Sequence, residues 1–121
     1  EAGVTGYNIE AKESNYTVVI TTDSGKTFTS KTDGTVFTLP AIAVGNVFTF
    51  VNTAEDGANT LTISPNSSDG ITYAGSSTDN KDLINTKATS KIGDYVKIQA
   101  MNGDVTAWQV TDVQGTWAKE S

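Results

Sequence analysis

Residues 45–65, GNVFTFVNTAEDGANTLTISP, constrain this chain more than any other stretch. In the first half Val47, Thr49 and Val51 point one way and Phe48 and Phe50 the other. In the second half Leu61 and Ile63 oppose Thr60, Thr62 and Ser64. A period of two marks half-buried β-strands, because successive side chains leave a strand on opposite faces. The connection NTAEDGAN is rich in Asn, Asp and Gly, which tolerate turn dihedrals and bond locally to the backbone. The stretch therefore predicts a central antiparallel hairpin.

Composition extends this to the whole chain. Thr is roughly one residue in six, far above ordinary usage, and it suits a pleated, half-solvated surface. Leu and Glu are sparse for a helical protein. At 121 residues one domain is the natural unit. The expectation is an all-β domain: an antiparallel β-sandwich or jelly-roll-like barrel of about eight strands over residues 16–121. Residues 1–15 precede it as an N-terminal arm or a first short strand around Tyr7–Ile9.

Charge and missing residue types exclude several functions. The net charge is −6, and all 8 basic residues are lysines. Nucleic-acid binding needs clustered cations, and the bidentate arginine reader is absent, so no nucleic-acid partner is expected. There is no cysteine, hence no disulfide and no thiolate metal site, and no histidine, the commonest general base. No apolar run approaches the roughly 20 residues that span a bilayer, and no signal-peptide pattern is visible, so no membrane partner is expected. The first residue is Glu1, which fits both a processed product and a trimmed fragment.

Along the chain, Tyr16–Thr22 predicts a strand and Lys26–Ser30 its hairpin return across Asp23-Ser24-Gly25. Thr35–Leu39 is the next strand, stopped by Pro40. The short apolar segment 41–45 is expected to cross from one sheet to the other. Residues 66–90 are irregular and rich in Ser, Asn, Asp and Gly. Ile71–Ala74 is a short strand within them, and Leu83 and Ile84 form a buried anchor in a long loop. Alternation returns with Val96, Ile98 and Ala100 facing inward. A turn at Asn102-Gly103-Asp104 leads to a partner strand, Val105–Thr111, with Trp108 and Val110 inward. Thr116-Trp117-Ala118 closes the chain. The expected core is Phe48, Phe50, Leu61, Ile63, Val96, Ile98, Trp108 and Val110.

Candidate sites are few. Asp69, Asp79, Asn80 and Asp82 offer oxygen ligands of the kind calcium takes, although their spacing does not match the helix-loop-helix calcium pattern, and acidic residues suit any loop. Trp108, Trp117, Tyr73 and Tyr95 could stack on a sugar. The tryptophans occupy strand patterns and read as core, which leaves Tyr95, on the polar face of its strand, as the better candidate. Tyr73, Asp79, Asn80 and Tyr95 are thus the candidate ligand or partner contacts. No cofactor or metal is expected. Without His or Cys, and with acidic residues mostly in turns, no enzymatic activity is expected either.

The runs TVFTLPAIAVGNVFTFVNTAEDGANTLTISPN and GDYVKIQAMNGDVTAWQVTDVQGTW resemble a module that recurs in virion proteins of tailed bacteriophages. The resemblance is carried by Leu39-Pro40, Gly45, Phe48-Thr49-Phe50-Val51-Asn52, Ile63-Ser64-Pro65, Gly93-Asp94-Tyr95-Val96, Trp108-Gln109-Val110 and Gly115-Thr116-Trp117. It spans Thr35–Trp117, roughly two thirds of the chain. It implies a structural role in a capsid decoration or cement protein, a head fibre or a tail fibre, with no catalytic residues to carry over. The implied location is the virion surface, and the implied partners are the major capsid protein and copies of the chain itself as a homotrimer. The other expectation is a receptor- or glycan-binding fibre domain. Oligomerisation also has a physical motive: the sequence shows little Lys or Pro to blunt its sheet edges, and the polar arm and the 66–90 loop look unable to order themselves.

Overall fold

The computed structural model describes residues 8–101 and 107–121. The chain is all-β. In order it forms β1 (Ile9–Ala11), β2 (Tyr16–Thr17), a one-turn helix α1 (Ile20–Asp23), β3 (Thr27–Ser30), β4 (Val36–Thr38), β5 (Val47–Asn52) and β6 (Leu61–Ser64). Then follow β7 (Gly70–Thr72), β8 (Leu83–Asn85), a 3-10 turn (Lys87–Thr89), β9 (Tyr95–Gln99), β10 (Ala107–Gln114) and β11 (Ala118–Lys119). Several of these eleven strands are only two or three residues long, against an expectation of about eight.

The strands form two sheets, one ordered β1-β3-β5-β9-β10-β7 and the other β11-β8-β6-β4-β2. From β1 to β9 the chain changes sheet at every step. The pairs β1–β2, β3–β4 and β5–β6 are therefore three successive turns, each laying one strand in each sheet. Their ladders are parallel: Glu10, Phe28 and Phe50 stand in one register row, and Tyr16, Phe37 and Ile63 in another. β7 also joins β10 in parallel. The remaining pairs, β5–β9, β9–β10, β6–β8 and β8–β11, are antiparallel. Both sheets are mixed, which corrects the expectation of an antiparallel architecture.

The central hairpin does not form. β5 lies between β3 and β9, while β6 lies in the other sheet between β4 and β8. Alternation fixes which side chains face inward and says nothing about which strand lies alongside. Here Asn52 redirects the chain: its Oδ1 accepts the Ala54 N–H at 3.1 Å and its Nδ2 donates to the Asn59 carbonyl at 3.2 Å. The connection crosses between sheets instead of folding back. Nor does Tyr16–Thr22 run as one strand with a hairpin return. β2 ends at Thr17, and the Asp23 carboxylate accepts the Val19 N–H at 2.9 Å and gathers the next residues into α1.

Other expectations hold. Segment 41–45 crosses from the sheet of β4 to that of β5, and β9 and β10 pair antiparallel, with an irregularity between Val110 and Asp112. The turn expected at 102–104 and the strand start at Val105 lie outside the described residues, as does Tyr7. The 66–90 region is more regular than its composition predicts. Ile71 in β7 and Leu83 in β8 are both fully buried, so two apolar anchors suffice to set strands there.

Phe28, Phe37, Phe48, Phe50, Leu61, Ile63, Leu83, Ile98 and Trp108 are all fully buried, each burial stabilising by about 1.5–3 kcal/mol for the aliphatic and Phe side chains. Rings from both sheets meet. Phe37 of β4 lies 5.6 Å from Phe28 of β3 and 5.1 Å from Phe50 of β5, centroid to centroid, and Phe48 sits 5.7 Å from Trp108. Val110 is half-buried at the margin of this core.

Candidate functional site

The acidic residues of the 66–90 region do not converge. Asp69 is buried, and its Oδ2 accepts the Ile42 N–H at 2.9 Å while its carbonyl accepts the Asn80 N–H at 2.9 Å. Its carboxylate anchors the 41–45 crossing. Asp79 and Asn80 are exposed, and Asn80 takes a left-handed φ of 61° that suits Asn in a turn. Asp82 meets Glu120 through the backbone: its N–H donates to Glu120 Oε1 at 3.0 Å and its carbonyl accepts the Glu120 N–H at 2.8 Å. Among the described residues no group of three acidic side chains is placed to hold a metal ion.

The aromatic platform is not assembled either. Trp108 and Trp117 are buried, the latter donating its Nε1–H to the Gln114 carbonyl at 2.9 Å. Tyr73 packs against the core beyond β7. Tyr95 lies near the other end of β10, opposite Gln114, and its hydroxyl donates to Asp112 Oδ2 at 3.1 Å. That carboxylate pushes the Tyr95 phenol up from its ordinary range. Of the four expected contacts, Tyr73 thus packs on the core, Asp79 and Asn80 lie exposed in a turn, and Tyr95 meets Asp112.

Two polar clusters that the sequence reading did not single out hold the protein together. The first is buried. Asn52 Nδ2 donates to Asn85 Oδ1 at 2.8 Å, Asn59 Nδ2 donates to Asn52 Oδ1 at 3.1 Å, and Asn85 Nδ2 donates to both Asp94 Oδ2 and the Thr116 carbonyl at 3.1 Å. Asp94 Oδ2 also accepts the Lys91 N–H at 2.9 Å. This set ties β5, β8 and the start of β9 across the two sheets, while the buried Asn59 Oδ1 is left without a partner among the described residues. Its signal is parity: Asn52 continues the inward series Phe48, Phe50, and Asn85 follows Leu83.

The second cluster lies at the first turn of chain. Asp23, 1% exposed, accepts from the Tyr16 hydroxyl at 2.6 Å and faces Lys26 Nζ at 3.2 Å. Lys26 also pairs with Glu10 at 3.0 Å, Glu10 with Lys12 at 3.2 Å, and Lys12 lies 4.0 Å above the Tyr16 ring. Burial pushes the Asp23 carboxyl up. The Tyr16 hydroxyl, the Val19 N–H and the Lys26 ammonium outweigh that and leave it below its ordinary range. The same hydrogen bond pushes the Tyr16 phenol up to about 12. Contrary to the sequence expectation, this edge is blunted: β1 turns a charged side chain inward and lysines flank it.

At the opposite edges, Lys119 of β11 donates from Nζ to the Ile71 carbonyl of β7 at 2.6 Å and to the Lys81 carbonyl at 3.2 Å, joining the outermost strands of the two sheets. Burial lowers its ammonium below the usual lysine range. Both clusters and the Lys119 contacts have a structural chemistry, in which charges and amides meet backbone or each other. No family model matches this chain, and neither does any curated protein or solved structure.

Proposed function

We propose that this chain is a structural protein of a tailed-bacteriophage virion, a capsid decoration or cement protein that binds and stabilises the head surface. The observation that carries the reading is where the residues of the resemblance fall. Leu39, Phe48, Phe50, Ile63, Val96, Trp108 and Trp117 are core, Asn52 and Asp94 belong to the buried amide cluster, and Gly45, Gly93 and Gly115 take φ of 90°, 90° and 96°. The shared pattern is thus one of architecture and carries no reaction chemistry. In this reading the chain is not an enzyme, needs no cofactor, and works at the virion surface against the major capsid protein.

The finer fold belongs to the same reading. The two sheets face one another as a β-sandwich, supported by the Phe28–Phe37 and Phe37–Phe50 contacts between them. Copies assemble as a closed trimer, the cyclic form that suits a three-fold position on a capsid lattice. Imaging of purified particles, with the intact mass of the chain and its stoichiometry, tests the proposal. The expected result is the chain on the head in multiples of three and a trimer by light scattering. Its absence from particles overturns the function, and a monomer both in solution and on the particle overturns the assembly.

A further inference from the structure

β1 itself buries no apolar side chain. Ile9 is 62% exposed, Ala11 is exposed, and the side chain between them is Glu10. In the ladder Glu10 occupies the row that continues inward as Phe28 and Phe50, so a carboxylate ends an aromatic row. In the other sheet Tyr16 ends the row of Phe37 and Ile63. The grip on β1 is a few backbone bonds, among them Lys12 N–H to the Thr29 carbonyl at 2.8 Å and Thr27 N–H to the Asn8 carbonyl at 2.7 Å, plus charge. Glu10 is held by Lys26 and Lys12. Glu13, just beyond β1, accepts from the Thr32 hydroxyl at 2.7 Å and from the Lys31 N–H at 3.4 Å.

We infer that β1 and its connector to β2 form a detachable cap, latched on the edge of β3 by the Glu10 and Glu13 carboxylates and released by acid while the rest of both sheets stays folded. The groups facing the latch are Lys12 on β1, Tyr16 on β2, Asp23 on α1, Lys26 before β3 and Lys31 after it. The Lys26 and Lys12 ammonium groups hold Glu10 below its ordinary value of 4.5, and the Thr32 hydroxyl with the Lys31 N–H does the same for Glu13. A carboxyl lowered in the folded state favours that state above its unfolded value, and the advantage is lost as pH falls through the folded one. The latch therefore holds at neutral pH and opens in the acid range below 4.5. Opening uncovers the outer edge of β3.

Amide hydrogen exchange, corrected for the intrinsic effect of pH, tests this at neutral pH and at acid pH. Lys12 and Thr27 report the cap, and Asn52 and Ala100, whose N–H groups donate to the Asp94 and Asn46 carbonyls, report the interior of the sheet. Protection at the cap amides is expected to fall about tenfold or more on acidification, with the interior amides unchanged. The double variant Glu10→Gln, Glu13→Gln should show the low cap protection already at neutral pH and lose its pH dependence. High salt on the parent protein, which screens exposed pairs, should act in the same direction and needs no variant. Cap protection unaltered by acid and salt, or cap and interior amides falling together, overturns the inference.

Discussion

Asn52 of one sheet and Asn85 of the other share a hydrogen bond of 2.8 Å inside the protein, with both side chains fully buried. The bond is a bolt through the interior between the two layers, as the Lys119–Ile71 bond is at their margin. Replacing Asn85 by Leu would take one of the two acceptors from the buried Asn52 Nδ2 and remove a partner of Asp94. Such a loss should lower stability by about 1–3 kcal/mol, read as a reduced midpoint in urea unfolding. An unchanged midpoint would show that the bolt is dispensable.

Phe50 touches Phe28, Phe37 and Phe48, and thus both sheets. Phe50→Ala should destabilise by about 3–5 kcal/mol, whereas Val44→Ala in the 41–45 crossing, where the side chain is exposed, should stay within about 0.5 kcal/mol. Comparable losses for the two variants would contradict the core described above.

Gly115 is held for two reasons. Its φ of 96° is one that side chains rarely adopt, and a Cβ there would collide with the Asp94 carboxylate. Gly115→Ala should therefore disturb the amide cluster as well as the turn. The measurable outcome is a lowered melting temperature, together with faster exchange of the Lys91 N–H that Asp94 accepts.

Tyr16 should titrate at about 12, because ionisation would place a phenolate against Asp23. An acid whose folded value is raised binds its proton more tightly when folded. Its contribution is complete below the unfolded value of 10.0 and falls away as pH rises toward 12. Ultraviolet titration should show a late phase that disappears in Tyr16→Phe. A single phase at the ordinary tyrosine value would refute the Tyr16–Asp23 bond.

Chelator treatment should leave the melting temperature unchanged, since Asp69 is engaged by the Ile42 N–H and among the described residues no three acidic side chains are placed to hold a metal ion. A large drop would bring back the 66–90 acidic residues as ligands.

The sequence exposed faces far better than neighbours. Phe48, Phe50, Leu61, Ile63, Val96 and Ile98 all face inward as their alternation indicates, and the β9–β10 pairing followed from adjacency in the chain. The partners of β5 and β6 did not follow, since either strand buries the same side chains whether it pairs with its successor or with a strand a full turn away. Asn52 and Asn85 were visible as inward positions, yet an inward Asn has meaning only once its partner is known. Asp69 illustrates the reverse: a loop carboxylate that composition offered as an ion ligand is taken up by the Ile42 N–H, a partner 27 residues away that no local pattern reveals.

Alternation between sheets also bears on how the chain reaches this state. Phe28 and Phe50 are ladder partners separated by roughly 20 residues of intervening chain, and the Tyr16–Phe37 and Phe37–Ile63 pairs are similarly remote. Among the described residues, only β9 and β10 pair as strands that follow directly in sequence. Loop-closure entropy must be met before most of these ladders yield any contact, which makes acquisition of the fold slow and nearly all-or-none. The β9–β10 pair is the most local ladder among the described residues, and β5, which pairs with β9 as well as β3, is the strand that joins it to the two earlier turns.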